Sequence, residues 1–155
     1  GFWSIDNDLL LGRLTAATPD GRKAGTPISR NNVATAGCGT GGPTALVLSN
    51  AKLDQAESPD GHIVDIVLPA VPNDGEDELA ERIAAFLETF SRLRGQCIHL
   101  NVFNSQMLRD AQRHPEKYEE LQVRVCGWNV RWNDLSRTEQ DHFIATVEAQ
   151  EGGGR

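Results

Sequence analysis

Reactive and membrane-spanning features are scarce in this chain. Cysteine occurs three times, at Cys38, Cys97 and Cys126, methionine and tyrosine once each, and aromatic residues make up 6% of the 155 positions. Three cysteines at long spacings, with no C-x-x-C pair, favour neither a disulfide framework nor a zinc site, and a reducing compartment fits them best. The histidines, His62, His99, His114 and His142, have no His or Cys three or four residues away, so no metal site is expected. No apolar run approaches the roughly 20 residues of a membrane span. The start, Gly1-Phe2-Trp3-Ser4-Ile5-Asp6, lacks the basic and apolar regions of a signal peptide, and a cytoplasmic protein with no membrane partner is expected. Basic residues are in deficit, 15 against 22 acidic, with a net charge of -7 and a pI near 5.0. That balance argues against nucleic acid as a partner. There is no Met at position 1, and Leu9-Leu10-Leu11 runs almost directly into turn residues, as in a piece of something longer.

What is present is ordinary for a globular body: 39% hydrophobic and 24% charged residues, in a chain long enough to bury roughly 70% of its unfolded surface. Residues 12 to 42 hold Gly12, Gly21, Gly25, Gly37, Gly39, Gly41 and Gly42 without periodicity. Such a stretch is functional or pinned by a larger body. Beyond it, Pro43 opens a helical pattern reaching Leu53, and Ile63-Val64-Asp65-Ile66-Val67-Leu68, between Gly61 and Pro69, predicts a buried strand. Apolar positions 79, 83, 86, 87, 90 and 93 make one helical stripe, acidic at its start and stopped by Gly95. A strand is predicted over 97–103, a short helix from Ser105 to before Pro115, a strand over 121–125, then a loop. Ser136-Arg137-Thr138-Glu139 matches a capping box, with Phe143, Ile144 and Val147 as the buried face of the helix that follows. The alternation predicts an α/β body with partly parallel strands. The acidic runs Glu76-Asp77-Glu78 and 116–120 are solvated faces.

The segment with chemical content is Arg124-Val125-Cys126-Gly127-Trp128, a strand running into a glycine. By itself a turn or bulge would explain that glycine. The surroundings change the weighing. Thr18-Pro19-Asp20-Gly21-Arg22-Lys23-Ala24-Gly25-Thr26-Pro27-Ile28-Ser29, Gly42-Pro43-Thr44-Ala45 and Ser49-Asn50-Ala51-Lys52-Leu53 form one block. A second contains His99-Leu100-Asn101-Val102, Leu108-Arg109-Asp110-Ala111-Gln112, His114-Pro115-Glu116-Lys117-Tyr118 and the R-V-x-G-[FWY] signature at 124–128. In order and spacing these blocks resemble the glycyl radical enzymes, the superfamily of pyruvate formate-lyase and the glycerol dehydratases, over most of residues 12 to 147.

The resemblance implies a stable backbone radical on Gly127, with Arg124, Val125, Cys126 and Trp128 as its supporting segment and Trp132 packed nearby. It implies an oxygen-sensitive lyase or acetyltransferase of anaerobic metabolism. No bound cofactor is implied; the radical is a modification installed by a separate radical S-adenosylmethionine activase with an iron-sulfur cluster. The family's active-site cysteine lies far upstream, and none of Cys38, Cys97 and Cys126 matches it, so activity of this chain alone is not expected. Cys126 reads as a small buried residue before a thiol relay. Arg124 reads as an anchor for its strand or loop, and His99 as a structural histidine. Asp20 and Arg22 are expected to brace the Pro-Asp-Gly-Arg turn by an ion pair and hydrogen bonds, and Gly37–Gly42 to pack as a loop in preference to an anion nest.

The implied fold class is α/β, the C-terminal part of a glycyl-radical-enzyme barrel. Residues 1–115 would belong to the barrel body, 116–147 to the glycine radical loop and its covering helix, and 148–155 to a flexible tail. The expected partners are the activase and the remainder of a barrel or a truncated partner enzyme, with self-association through uncovered apolar surface. The alternatives are a stand-alone spare-part carrier that rescues an oxygen-cleaved partner, or a non-catalytic remnant that only binds. The pyruvate formate-lyase and dehydratase branches are matched about equally, and no substrate is assigned.

Overall fold

The computed structural model describes residues 7–35, 38–59, 61–70, 75–125 and 127–152. Its regular elements are α1 (Asp8–Leu14), α2 (Gly42–Asn50), β1 (Ile63–Leu68), α3 (Glu76–Arg92), β2 (Cys97–Val102), α4 (Ser105–Arg113), β3 (Gln122–Val125), β4 (Trp128–Arg131) and α5 (Arg137–Gly152). Mixed α/β structure is therefore present. Helix α1 and strand β4 are additions to the sequence reading, which assigns no element to 8–14 and a loop after the strand at 121–125. Seven residues are too few for a clear helical period, and a four-residue strand beside a turn gives a weak alternation.

β1 and β2 pair in parallel with α3 as the crossover, and Asp65 lies opposite His99 while Val67 lies opposite Asn101. Because side chains alternate across a strand, the sheet has two unlike faces. Val64, Ile66, Ile98 and Leu100 pack with Leu46 and Val47 of α2 and with Phe86 and Phe90 of α3. The other face carries Asp65, His99 and Asn101 in a polar row. Val67 on that face joins a second core of Phe103, Leu108, Val123, Trp132, Phe143, Ile144 and Val147.

Helix α3 begins with Glu76, Asp77 and Glu78 and ends with Arg92, charges that complement the helix dipole. The helix stops where the sequence suggested, for a different reason. The left-handed residue is Arg94, at φ 61°, and the Gly95 amide donates to Phe90 O at 3.0 Å. Gly95 instead leaves room, since a Cβ there would stand 2.2 Å from the Phe90 ring. At α4 the cap is Asn104, whose Oδ1 accepts from the Met107 amide at 2.8 Å. The capping box at α5 forms in both directions: Ser136 N donates to Glu139 Oε2 at 2.8 Å, and Glu139 N to Ser136 Oγ at 3.3 Å.

Helix α5 continues to Gly152, into the segment 148–155 read from the sequence as a flexible tail. Contacts hold this end in place. Buried Gln150 accepts from the Val67 amide at 3.0 Å, and Glu151 accepts from Ser105 N and Oγ at 2.8 and 2.5 Å. Together with Asn32 Nδ2 donating to Ile63 O at 3.0 Å, Gln150 covers the edge of β1 that no described strand pairs.

Two polar connections tie these parts together. Asn101 Nδ2 donates to Arg124 O at 2.9 Å, and its Oδ1 accepts from Arg124 N at 2.8 Å, so one amide joins β2 to β3. Asp8 of α1, 1% exposed, accepts from Arg30 Nε and Nη2 at 3.1 and 2.8 Å, and its other oxygen lies 2.8 Å from Nε2 of His142 on α5. Burial pushes the Asp8 carboxyl up, but the His142 hydrogen bond and the Arg30 charge outweigh it and hold the group below the usual carboxylate range.

Asn101→Asp keeps the acceptor and loses the donor to a part-buried carbonyl, and is expected to cost roughly 2 kcal/mol in urea unfolding, with faster hydrogen exchange at the Arg124 amide. Asp8→Ala strands Arg30 and His142 and is expected to cost roughly 3 kcal/mol. Since the folded Asp8 pKa is depressed, its contribution is whole above the unfolded value of about 3.9 and is lost as pH falls through the folded one. The urea midpoints of wild type and Asp8→Asn should therefore converge as pH falls through the depressed folded value; a gap that stays constant from neutral pH downward would contradict the assignment.

Candidate functional site

β3 and β4 form an antiparallel hairpin in which Val125 pairs with Trp128, Arg124 with Asn129 and Val123 with Val130. Only residues 126 and 127 connect the strands. A two-residue connection that follows the strand twist favours positive φ, and Gly127 supplies it at +89°. Cys126 lies outside the described residues. The hairpin is seated from one side: Val123 is buried, Val125 packs against the second core, and the Trp132 amide donates to Leu121 O at 2.8 Å.

Arg124 is held at both its backbone and its head, with Nη1 donating across the hairpin to Asn129 Oδ1 at 3.0 Å. The two tryptophans separate. Trp132 is fully buried, edge-on to Phe143 at 6.0 Å, whereas Trp128 is 74% exposed. Packing of both around the glycine, as the sequence suggested, is thus corrected for Trp128, because no described residue covers the outer side of β4.

Gly127 itself is half-buried. A Cβ added there would meet one atom within 4 Å beyond its chain neighbours, His99 Cε1 at 3.9 Å. His99 is buried, and its Nδ1 lies 2.7 Å from Asp65 Oδ1. Asp65 Oδ2 accepts from the Asn31 amide. Burial pushes the Asp65 carboxyl up, against the hydrogen bonds of His99 and Asn31 and the charge of Arg30. Asp65 and the role of Asn101 were missed in the sequence. Their signal was there, as a lone charge in a β-branched run and as polar residues at the alternate positions of the following strand.

The Pro-Asp-Gly-Arg turn is braced differently from the expected ion pair. The guanidinium of Arg22 is buried and donates to the carbonyls of Ala16, Thr26 (2.7 Å) and Lys23 (3.2 Å). Asp20 turns to the Thr18 hydroxyl, and that hydrogen bond, with those from the Asp20 and Arg22 amides and the nearby Arg22 charge, keeps its carboxyl below the usual range. The turn needs donors for three carbonyls, which a carboxylate could not satisfy. Cys38 and Cys97 are exposed free thiols. Among the described residues no three His, Cys, Asp or Glu side chains converge as metal ligands, and no helix is long and apolar enough to cross a membrane.

A family model described as "Glycine radical" matches residues 29–133, which include the whole hairpin. The chain is 36% identical over 138 residues to indoleacetate decarboxylase of Tractidigestivibacter scatoligenes, covering 88% of this chain and 16% of that protein. It is 34% identical over 155 residues to formate acetyltransferase 1 of Escherichia coli strain K12, covering 95% and 20%. A solved glycyl radical enzyme from Archaeoglobus fulgidus superposes with a TM-score of 0.83 at 32% identity, covering 95% of this chain and 19% of that one. The chain thus spans about a fifth or less of the length of these relatives. A family match over most of the chain, taking in the strand-glycine-strand hairpin near its end, makes this chain a member of the glycyl radical enzyme family, carrying its glycine radical domain.

Proposed function

We propose that this chain is the C-terminal, radical-bearing portion of an anaerobic, oxygen-sensitive glycyl radical enzyme, and that Gly127 stores the radical. The observation that carries the reading is the glycine of the R-V-x-G-W signature, at a hairpin tip with positive φ inside the family-matched region. Removing one α-hydrogen leaves an unpaired electron at Cα, shared between the flanking amide nitrogen and carbonyl while the centre is planar. A Cβ would crowd that planar backbone. Radical transfer then balances simply. Gly127 regains a hydrogen atom from the S–H of a cysteine in a barrel outside this chain, leaving a thiyl radical there to attack substrate.

The partners of this reading are a radical S-adenosylmethionine activase with an iron-sulfur cluster, which takes the hydrogen, and the barrel that holds the thiol. Leu10 and Leu14 of α1 are 56% and 78% exposed, and Leu48 of α2 is 49% exposed. That apolar surface supports a covering body. The same surface serves a second reading, a spare-part carrier that docks on an oxygen-cleaved partner. The two separate by whether adding the activated chain restores turnover to a truncated enzyme.

The test is anaerobic electron paramagnetic resonance after incubation with the activase, reductant and S-adenosylmethionine. A carbon-centred doublet, split by the one remaining α-hydrogen, is expected in wild type, with chain cleavage near Gly127 on exposure to air. Gly127→Ala should give no doublet while remaining folded, since its added Cβ meets nothing closer than 3.9 Å. The positive φ would cost it about 1–2 kcal/mol in urea unfolding. A doublet that persists in the variant would sink the assignment.

A further inference from the structure

We propose that Asp65 and His99 are a positioning pair for the Gly127 α-carbon, closing one face of it with the Cε1 edge of the imidazole; this rests on the reading of Gly127 as the radical residue. The placement is one-sided. A side chain at Gly127 would meet His99 Cε1 at 3.9 Å, an ordinary van der Waals distance, and no other described atom beyond its chain neighbours within 4 Å, so the ring edge stands on the side of the α-carbon where an L residue would carry its Cβ.

The ring has little freedom to leave. His99 is 7% exposed, and its Nδ1 is tied to Asp65 Oδ1 at 2.7 Å. Asp65 is the register partner of His99 on the adjacent parallel strand, and Asn31 occupies its second oxygen. The glycine is fixed to the same strand from the other side, because Asn101, two residues along β2 on the same face, grips both backbone groups of Arg124. Ring and α-carbon are therefore referenced to one rigid element, and neither needs the other to be placed.

The chemistry suits a wall beside a radical. An imidazole C–H bond is much stronger than the α-C–H of a glycyl residue, so transfer of that hydrogen to the Gly127 radical is strongly uphill. An aromatic edge fills the space without becoming a donor, and it displaces water and dissolved oxygen from that face of the carbon.

The experiment uses the full chain with the activase, carrying histidine deuterated at Cε1. Electron nuclear double resonance on the wild-type doublet should show a dipolar coupling to the label. His99→Gln should lose that coupling while keeping the doublet, although His62, His114 and His142 remain labelled. His99→Ala should shorten the anaerobic lifetime of the signal several-fold, and Asp65→Asn should broaden or shift the coupling with the doublet retained. Absence of any doublet in wild type would overturn the reading of Gly127. A normal wild-type doublet without coupling to the labelled ring would overturn the positioning pair and leave Gly127 standing. Should His99 variants fail to fold, a nuclear Overhauser contact between His99 Hε1 and the Gly127 α-hydrogens in the unactivated wild type decides the same point: its presence supports the pair, and its absence removes it.

Discussion

The hydrogen bonds that Asn101 makes to the backbone of Arg124 carry more of this structure than their number suggests. β2 and β3 do not pair, and among the described residues each sheet has only two strands, a size that is marginal in water. One amide supplies the donor and the acceptor that a neighbouring strand would have offered, and so joins the hairpin to the parallel sheet at a fixed distance. The buried Val123 and Trp132 then add apolar contact on the same side. With the hairpin seated this way, Gly127 stays beside His99 while Trp128 of β4 remains exposed.

The parallel sheet works as a divider between two environments. One face is filled with aliphatic and aromatic side chains from α2 and α3, and it supplies burial. The other puts a carboxyl, an imidazole and an amide in a row where solvent is scarce, and the cost of that row is offset only by mutual hydrogen bonding. The raised pKa of Asp65 registers this tension: burial resists the charge that His99, Asn31 and Arg30 favour. Asp8 resolves a similar tension the other way, because Arg30 and His142 meet both of its oxygens.

Much of this could be read from residue patterns. The run Ile63–Leu68 is a strand because β-branched residues lie between a glycine and a proline, and the stripe ending at Leu93 is a helix because its apolar positions recur at helical spacing and complement a dipole. The S-x-x-E box at 136 forms as written. Gly127 was legible only because a signature surrounds it, since a glycine after a strand has many ordinary uses. What stayed hidden depends on distant partners. Arg22 looked like half of an ion pair with its near neighbour Asp20, yet its fork reaches carbonyls that converge only after folding. The end of α5 looked frayed because its glycines and charges are locally helix-poor, and its order comes from Val67 and Ser105. The Asp65–His99 contact depends on register, which no single strand's sequence declares.

The hydrogen bond from the Val67 amide to Gln150 spans 83 positions of sequence. During synthesis, β1 leaves the ribosome long before the residue that closes its free edge, and β2 can pair only with its opposite side. For that interval only Asn32, at the Ile63 end, covers the edge of β1, and the Val67 end is a template open to an extended segment, its own or another chain's. Completion of α5 ends the exposure. Helix α5 therefore acts in time as well as in space, setting the moment at which the Val67 end of this edge is closed.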